Sequence, residues 1–364
     1  LLYGFSFLYG GSGSTDFRII PGRLAHVTAS PGGFGLFLKT AMVLIFAGLG
    51  FRIAAVPFHF YAPDVFQGTS TGNAALLSVV PKIAGLVALV RLVAVAMPGI
   101  QSYAWPVAVV LSMLTMTVAN VLALSQENLR RLLAYSSIAN AGYLLIGLSV
   151  HLTTARPERI YWDGLGALLF YLVVYAAATI GTFAAVACLG RGERQVEGIQ
   201  ELAGLAWTRG PVRPVLAWMI ALFMFSLTGI PPLAGFWGKL ALFGSSLTLT
   251  GLADEARPWF VVLAVIGVIN SAIAAAYYLR VVGIMFFRPP ERTPRTKEGS
   301  LGVFVAAFVC AVLVLGIGVY PGPWMRSAER AGRNLEHQQP SPAVSEVQDR
   351  PETCLLYTSD AADE

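Results

Sequence analysis

The sequence predicts an all-α polytopic membrane protein with about eight complete transmembrane helices and part of one more. Three observations carry this. Charged residues make up only 12% of the 364 and apolar residues 56%, against roughly 25% charged in a soluble domain. The apolar residues fall in runs of about 20 or more, the length a helix needs to cross the hydrocarbon core. Mean hydropathy is +0.66, too high for a soluble globule of 38.8 kDa. The formal net charge of +5 says little, because arginines in such a chain mark loop orientation, and nothing supports nucleic-acid binding.

Taken in order, Leu1 to Tyr9 reads as the end of a span already under way, so the chain is expected to be an N-terminally truncated fragment. Hydrophobic segments follow at 34–66, 73–97, 103–125, 131–151, 163–189, 214–249, 258–287 and 300–321. The first and sixth are too long for one crossing, and each is interrupted. One carries Val56-Pro57-Phe58-His59, the other Gly229-Ile230-Pro231-Pro232. Proline removes a helical hydrogen bond, and non-helical backbone survives at membrane depth only where protein or a wet cavity covers it. Two Pro-broken segments in corresponding positions of two halves point to a transporter-like inverted repeat. Two ordinary kinks are the alternative, and this feature alone does not separate them.

Arginine and lysine in alternate loops set the orientation. Arg130, Arg131, Arg191, Arg194, Arg209, Arg213, Arg288, Arg292, Arg295 and Lys297 lie on one side; Arg18, Arg23, Arg156, Arg159 and Arg257 lie opposite. Ten against five places the first set in the cytoplasm and the C-terminus outside, against the pull of Arg326, Arg330 and Arg333. Residues 1–325 thus read as the transmembrane domain. Residues 326–364 read as a polar tail expected to be disordered, and 354–364 looks like translated adapter or vector sequence.

Two of the four lysines sit inside apolar spans. Lys82 lies roughly 15 Å into its helix, near the midplane. An ionised group there costs on the order of 2.5–3.5 kcal/mol, so it should face protein or water, and such residues are functional candidates. Lys239 follows the Pro231-Pro232 break by seven residues, and Arg52 precedes Pro57 by five. Lys39, Arg91 and Arg280 read instead as snorkelling residues near helix ends. Burial can bring a lysine's proton exchange near neutral pH, whereas guanidinium stays protonated and suits a fixed field or an ion pair. His59, beside a break, reads equally as a relay or as satisfied structure.

Weaker polar stripes accompany these. Ser136, Asn140 and Tyr143 share one helix face, Tyr171, Tyr175 and Thr182 another, and Asn270 and Tyr277 form a third pair. Each could line a water file, but interhelical bonding is the commoner use of such residues in membranes. Cys188, Cys310 and Cys354 show no CxxC spacing, so neither a disulfide framework nor a zinc or iron–sulfur site is read. Gly10-Gly11-Ser12-Gly13 is not a nucleotide fingerprint. No catalytic residues, cofactor or metal are expected in the chain.

Four segments in order resemble the antiporter-like subunit N family of respiratory complex I, the bacterial NADH-quinone oxidoreductase. They are Gly50-Phe51-Arg52-Ile53-Ala54-Ala55-Val56-Pro57-Phe58-His59, Pro63-Asp64-Val65-Phe66-Gln67-Gly68, Leu124 to Ile138 with its Gln126-Glu127-Asn128-Leu129-Arg130-Arg131 core, and Ser226-Leu227-Thr228-Gly229-Ile230-Pro231-Pro232-Leu233-Ala234-Gly235-Phe236. The likeness runs from Leu1 to about Tyr320, and the Pro-Asp-Val-Phe run favours subunit N over its relatives.

The resemblance implies a fourteen-helix inverted-repeat fold with two discontinuous helices, its first helices and their glutamate lying before Leu1. It implies a bacterial inner-membrane location, beside other membrane-arm subunits, with FMN, iron–sulfur clusters and quinone in partner subunits. Lys82 and Lys239 match lysines of the proton path and His59 a histidine between them. Lys82 would take up and release a proton, tuned by Arg52, and Lys239 would release it outside. Three positions depart: Arg52 stands for a usual lysine, Arg130 for a common lysine and Asn140 for a frequent histidine. Arginine keeps the charge at position 52 without the lability. A cation/proton antiporter subunit and a proton-inert scaffold are the alternative functions.

Overall fold

The structure, a computed structural model, describes residues 1–28, 34–97, 100–153, 163–190, 196–208, 210–249, 256–289 and 300–337. The described residues form helices α1 (Leu2–Ser12), α2 (Ile20–Thr28), α3 (Phe34–Ile53), α4 (Tyr61–Gly68), α5 (Thr71–Leu89), α6 (Gln101–Leu124), α7 (Leu129–His151), α8 (Gly164–Leu189), α9 (Val212–Thr228), α10 (Ala234–Leu247), α11 (Arg257–Phe287), α12 (Leu301–Val319) and α13 (Gly322–His337). Seven are long and apolar enough to cross a membrane, and α9 and α10 flank the interruption expected within 214–249. The all-α, multi-pass architecture is as the composition requires.

Polarity decides which helix goes where. α7 has the lowest mean hydropathy of the seven, 1.4, and is wholly buried, whereas α12 has the highest, 2.8, and is 33% buried. Lipid accepts apolar side chains at no cost but not hydroxyls or amides, so the helix carrying Ser136, Asn140 and Tyr143 is driven to the centre. α8 packs beside it and also meets α5, α9, α10, α12 and α13. Small residues let the axes close: a Cβ at Gly142 would lie 2.8 Å from the Met116 amide nitrogen of α6, and one at Gly147 would lie 2.7 Å from the Gly164 carbonyl of α8.

Both proline segments are true discontinuities, not kinks. α3 stops at Ile53 and α4 starts at Tyr61; α9 stops at Thr228 and α10 starts at Ala234. At the first gap Ala54 takes the left-handed conformation, φ 58°, which a Cβ disfavours. Thr115 accepts from the Val56 amide at 3.1 Å, and the Tyr61 hydroxyl donates to the Phe51 carbonyl at 2.8 Å. At the second, Gly229 in the left-handed region closes α9, and Ser226 Oγ accepts from the Gly235 amide at 3.1 Å. The backbone groups freed by proline are thus satisfied by side chains.

The boundary expected at Arg326 falls inside α13, so residues 326–337 are helical rather than disordered. Met325, Ala328, Gly332 and Leu335 form its inner stripe, and Gly332 and Glu329 lie against Gly166 and Leu165 of α8. The many charges of this stretch mask that stripe when only composition is read. Residues 338–364, with Cys354 and the stretch 354–364, lie outside the described residues. So do Arg156, Arg159, Arg191, Arg194, Arg209, Arg292, Arg295 and Lys297 of the orientation pattern.

Two predictions follow from this packing. Gly142→Val should lower the thermal stability of the detergent-solubilised protein by about 1–3 kcal/mol, since α6 backbone cannot yield as a side chain can; an unchanged melting temperature would refute the close α6–α7 approach. Burial against α8 raises the Glu329 carboxyl above its ordinary value, Asp163 adding to the rise and Arg333 opposing it. The docked helix therefore holds the proton more tightly than the free one, so docking strengthens below the raised value and weakens as pH rises through it. Amide exchange of α13 should be faster at about pH 8 than at about pH 5, beyond the intrinsic change, and Glu329→Gln should remove that difference.

Candidate functional site

Lys82 lies on α5 and is 3% exposed. Pro81 precedes it inside the helix and cannot donate to the turn before. One turn back, the Ser78 carbonyl accepts from the Tyr175 hydroxyl at 3.0 Å and lies 3.5 Å from Ser137 Oγ. Tyr175 and Ser137 are joined at 2.8 Å. Among the described residues no carboxylate lies within ion-pair distance of Lys82.

The next turn of α7 continues the polar seam. Ser136 is hydrogen-bonded to the Tyr278 hydroxyl of α11. Asn140 accepts from the Tyr171 hydroxyl at 2.5 Å and donates to the Ser136 carbonyl at 2.8 Å and to Tyr278 at 3.4 Å. Beside Tyr278, the Tyr277 hydroxyl donates to Asn120 of α6 at 3.0 Å. Asn120 donates to Asn270 at 3.1 Å and to the Tyr143 hydroxyl at 3.5 Å, and Asn270 donates to Thr117 at 3.1 Å. These buried tyrosines, serines and asparagines join α5, α6, α7, α8 and α11.

Lys239 is 4% exposed on α10, and its ammonium lies 4.8 Å from the centre of the Tyr143 ring. The same ammonium donates to the Thr228 carbonyl at 3.0 Å. Thr228 ends α9, where unpaired carbonyls carry the negative end of the helix dipole. The break at Pro231 and Pro232 therefore supplies the counter-charge that an uninterrupted helix would keep in its own hydrogen bonds. Tyr143 and Tyr171 meet edge to face at 6.5 Å, so the aromatic pair bridges Lys239 to Asn140.

The remaining expected residues are placed as follows. His59 is 3% exposed in the turn after Pro57, its ring 4.4 Å from that of Phe60; no hydrogen bond among the described residues ties it to the seam. Arg52 is exposed on α3, its Cβ beside Gly85 of α5, three residues beyond Lys82. Arg130 lies at the Arg-rich end, bonded to the Thr69 carbonyl and to Glu197 rather than to the seam. Thr182 is buried and donates to the Ala178 carbonyl at 2.8 Å. A cavity of about 140 Å³ lies between Ser70–Gly72 at the start of α5 and Val186–Gly190 at the end of α8. Thr179 and Thr182, both buried, lie on the α8 stripe between that cavity and Tyr175.

Ser78, Ser137, Asn120, Thr179 and Tyr278 were not singled out from sequence. Pro81 next to Lys82 was the available signal for Ser78; the rest are single polar residues whose partners lie on other helices. Among the described residues no group of three His, Cys, Asp or Glu side chains could hold a metal.

Comparison with known proteins places the chain among relatives. Residues 1–275 match the family described as NADH:quinone oxidoreductase/Mrp antiporter, transmembrane. NADH-quinone oxidoreductase subunit N of Methylobacterium nodulans is 38% identical over 335 residues, 92% of this chain and 64% of that protein. The subunit N of Granulibacter bethesdensis is 36% identical over 92% of this chain and 65% of its own. The chain thus spans a little under two thirds of these relatives. A chain of Thermus thermophilus respiratory complex I, solved with bound aureothin, superposes with a TM-score of 0.68 at 34% identity, covering 89% of this chain and 64% of that one. A chain of the Mrp complex of Dietzia sp. gives 0.71 at 22% identity over 92% and 65%, a likeness of fold alone.

Asn140 makes three hydrogen bonds with its side chain, to groups on α7, α8 and α11. Asn140→Leu would leave the Tyr171 hydroxyl buried without its acceptor, at a cost of ~1–3 kcal/mol. The variant should melt earlier by that amount, and Asn140→Leu combined with Tyr171→Phe should recover part of the loss. Additive losses in the double variant would mean that the two side chains do not interact.

Proposed function

The chain belongs to the NADH:quinone oxidoreductase/Mrp antiporter transmembrane family, and on that premise we propose that it is a proton-translocating membrane-arm subunit of an NADH-quinone oxidoreductase. One observation supports this most: two buried lysines on α5 and α10, helices that both pack against the polar α7, one beside a proline within its helix and one donating to a helix end exposed by a break. Hydroxyls both donate and accept, so the polar seam can pass a proton by exchange of hydrogen bonds.

In this reading a proton enters from the cytoplasmic side at the cavity between α5 and α8, passes Thr182 and Thr179, and reaches Lys82. Lys82 takes it up and releases it, with Arg52 supplying a fixed positive field and His59 a second feed. The groups around Ser136, Asn140 and Tyr171 carry the charge change toward Tyr143, and Lys239 releases a proton outside. Quinone reduction takes place in partner subunits that hold FMN and iron–sulfur clusters. The chain sits in a bacterial inner membrane beside other antiporter-like and small membrane-arm subunits. A cation/proton antiporter subunit is the second reading, because the family description covers Mrp antiporters too. Arg52 and Asn140, where the resembling family has titratable lysine and histidine, are the observations that favour a proton-inert scaffold.

Lys82→Met in the full-length protein, assembled in sealed vesicles, should lower the protons moved per NADH oxidised while oxidation is largely retained. An unchanged ratio would make Lys82 structural and the scaffold correct. Proton movement driven by a sodium gradient without NADH would select the antiporter.

A further inference from the structure

The Arg-rich end of the bundle holds a cluster of contacts that the transport path does not use. Arg130 and Arg131 open α7, with Asn128 capping both of their amides. Arg131 Nη1 donates to Asp64 at 2.6 Å and to Gln67 at 2.9 Å, both on α4. Arg130 Nη1 donates to the carbonyl of Thr69, the residue that ends α4, at 2.6 Å. Its Nη2 reaches Glu197 at 3.0 Å, and its side chain is only 6% exposed. The Glu197 backbone is itself paired with α7, its carbonyl accepting from the Leu129 amide at 2.7 Å.

α4 is the detached half of the first broken crossing. Its chain link to α3 is the turn through Pro57 and His59, where no helical hydrogen bonds run through, and Tyr61 at its start holds to Phe51 of α3; its far end, at Thr69, is fixed by contacts made elsewhere. α7, which it packs against, bears Ser136, Ser137 and Asn140. Thr69 leads directly into α5, which bears Lys82. A shift of α4 along α7 would therefore move the start of α5 and the mouth of the adjoining cavity against the polar seam.

We propose that Arg130 and Arg131 are positioning residues: together they latch α4 to the start of α7 and so hold Lys82 in register with Ser137 and Tyr175. The two arms differ in weight. The Asp64 side chain is 72% exposed, and an exposed pair changes the population of a displaced state by about fivefold at most. The Arg130 arm is buried and charge-assisted, and its loss shifts that population by about tenfold or more. This inference rests on the proton-transport reading above.

The test uses the full-length protein in its complex, with native cysteines replaced and spin labels at Val65→Cys on α4 and Val121→Cys on α6, both exposed positions. The parent should give one narrow distance distribution. Arg130→Gln should broaden it strongly and Arg131→Gln or Asp64→Asn less, while the swap Asp64→Arg with Arg131→Asp should narrow it again. Protons moved per NADH should fall in step and recover in the swap, a rescue that loss of folding would not give. An unchanged distribution in both arginine variants overturns the latch outright. If the labels move but the ratio stays at the parent's value in Arg130→Gln and falls in Lys82→Met, the positioning role alone is wrong. If the ratio stays at the parent's value in both, the transport reading fails and the positioning role with it.

Discussion

An ammonium group inside a hydrocarbon slab must find oxygen, a ring face or water, and Lys82 and Lys239 impose that demand on the whole bundle. An unmet charge costs on the order of 2.5–3.5 kcal/mol even on the lenient scale. Lys239 meets it with the Thr228 carbonyl and the Tyr143 ring. Lys82 is enclosed on α5, one turn beyond the Ser78 carbonyl that Tyr175 of α8 bonds. From this follows the inverted order of the helices, with the least apolar α7 wholly enclosed and the most apolar α12 mostly outside.

The breaks belong to the same logic. A continuous helix keeps its carbonyls for itself, so it offers a buried cation little. Interrupting α9 from α10 frees carbonyls at a chosen depth, and Gly229 and Ser226 satisfy the remaining backbone groups there. The gap between α3 and α4 has a different consequence. It leaves α4 joined to the span before it by a turn and by the contact of Tyr61 with Phe51, so the arginines of α7 share the work of locating it. Charge burial at the centre and side-chain latching at the Arg-rich end are thus two results of the same proline pattern.

Much of this was legible in the sequence because hydrocarbon permits so few solutions. Spans, both discontinuities and the two deep lysines come from length, proline and charge alone. The stripe Ser136–Asn140–Tyr143 was legible as a helix face, and its bonds do join helices, the packing use of such residues. What stayed hidden depends on rotation and partnership. α3 is apolar all round, so no periodicity shows that Arg52 is exposed. Asn120, Ser137 and Tyr278 acquire meaning only from helices far away in the chain. In α13 the apolar stripe is only Met325, Ala328, Gly332 and Leu335 among charges, and composition averages it away.

The account stands on the seam being wet enough to exchange protons rather than dry interhelical packing. Cysteine placed singly along α7 in native membranes, and challenged with a small water-soluble thiol reagent, tests this most directly. Cysteine at Ser136, Ser137 and Asn140 should react, and cysteine at Leu132, Ile138 and Leu145 should not. Equal silence at all six positions, in protein that still assembles, would contradict the account and leave the seam as structural glue.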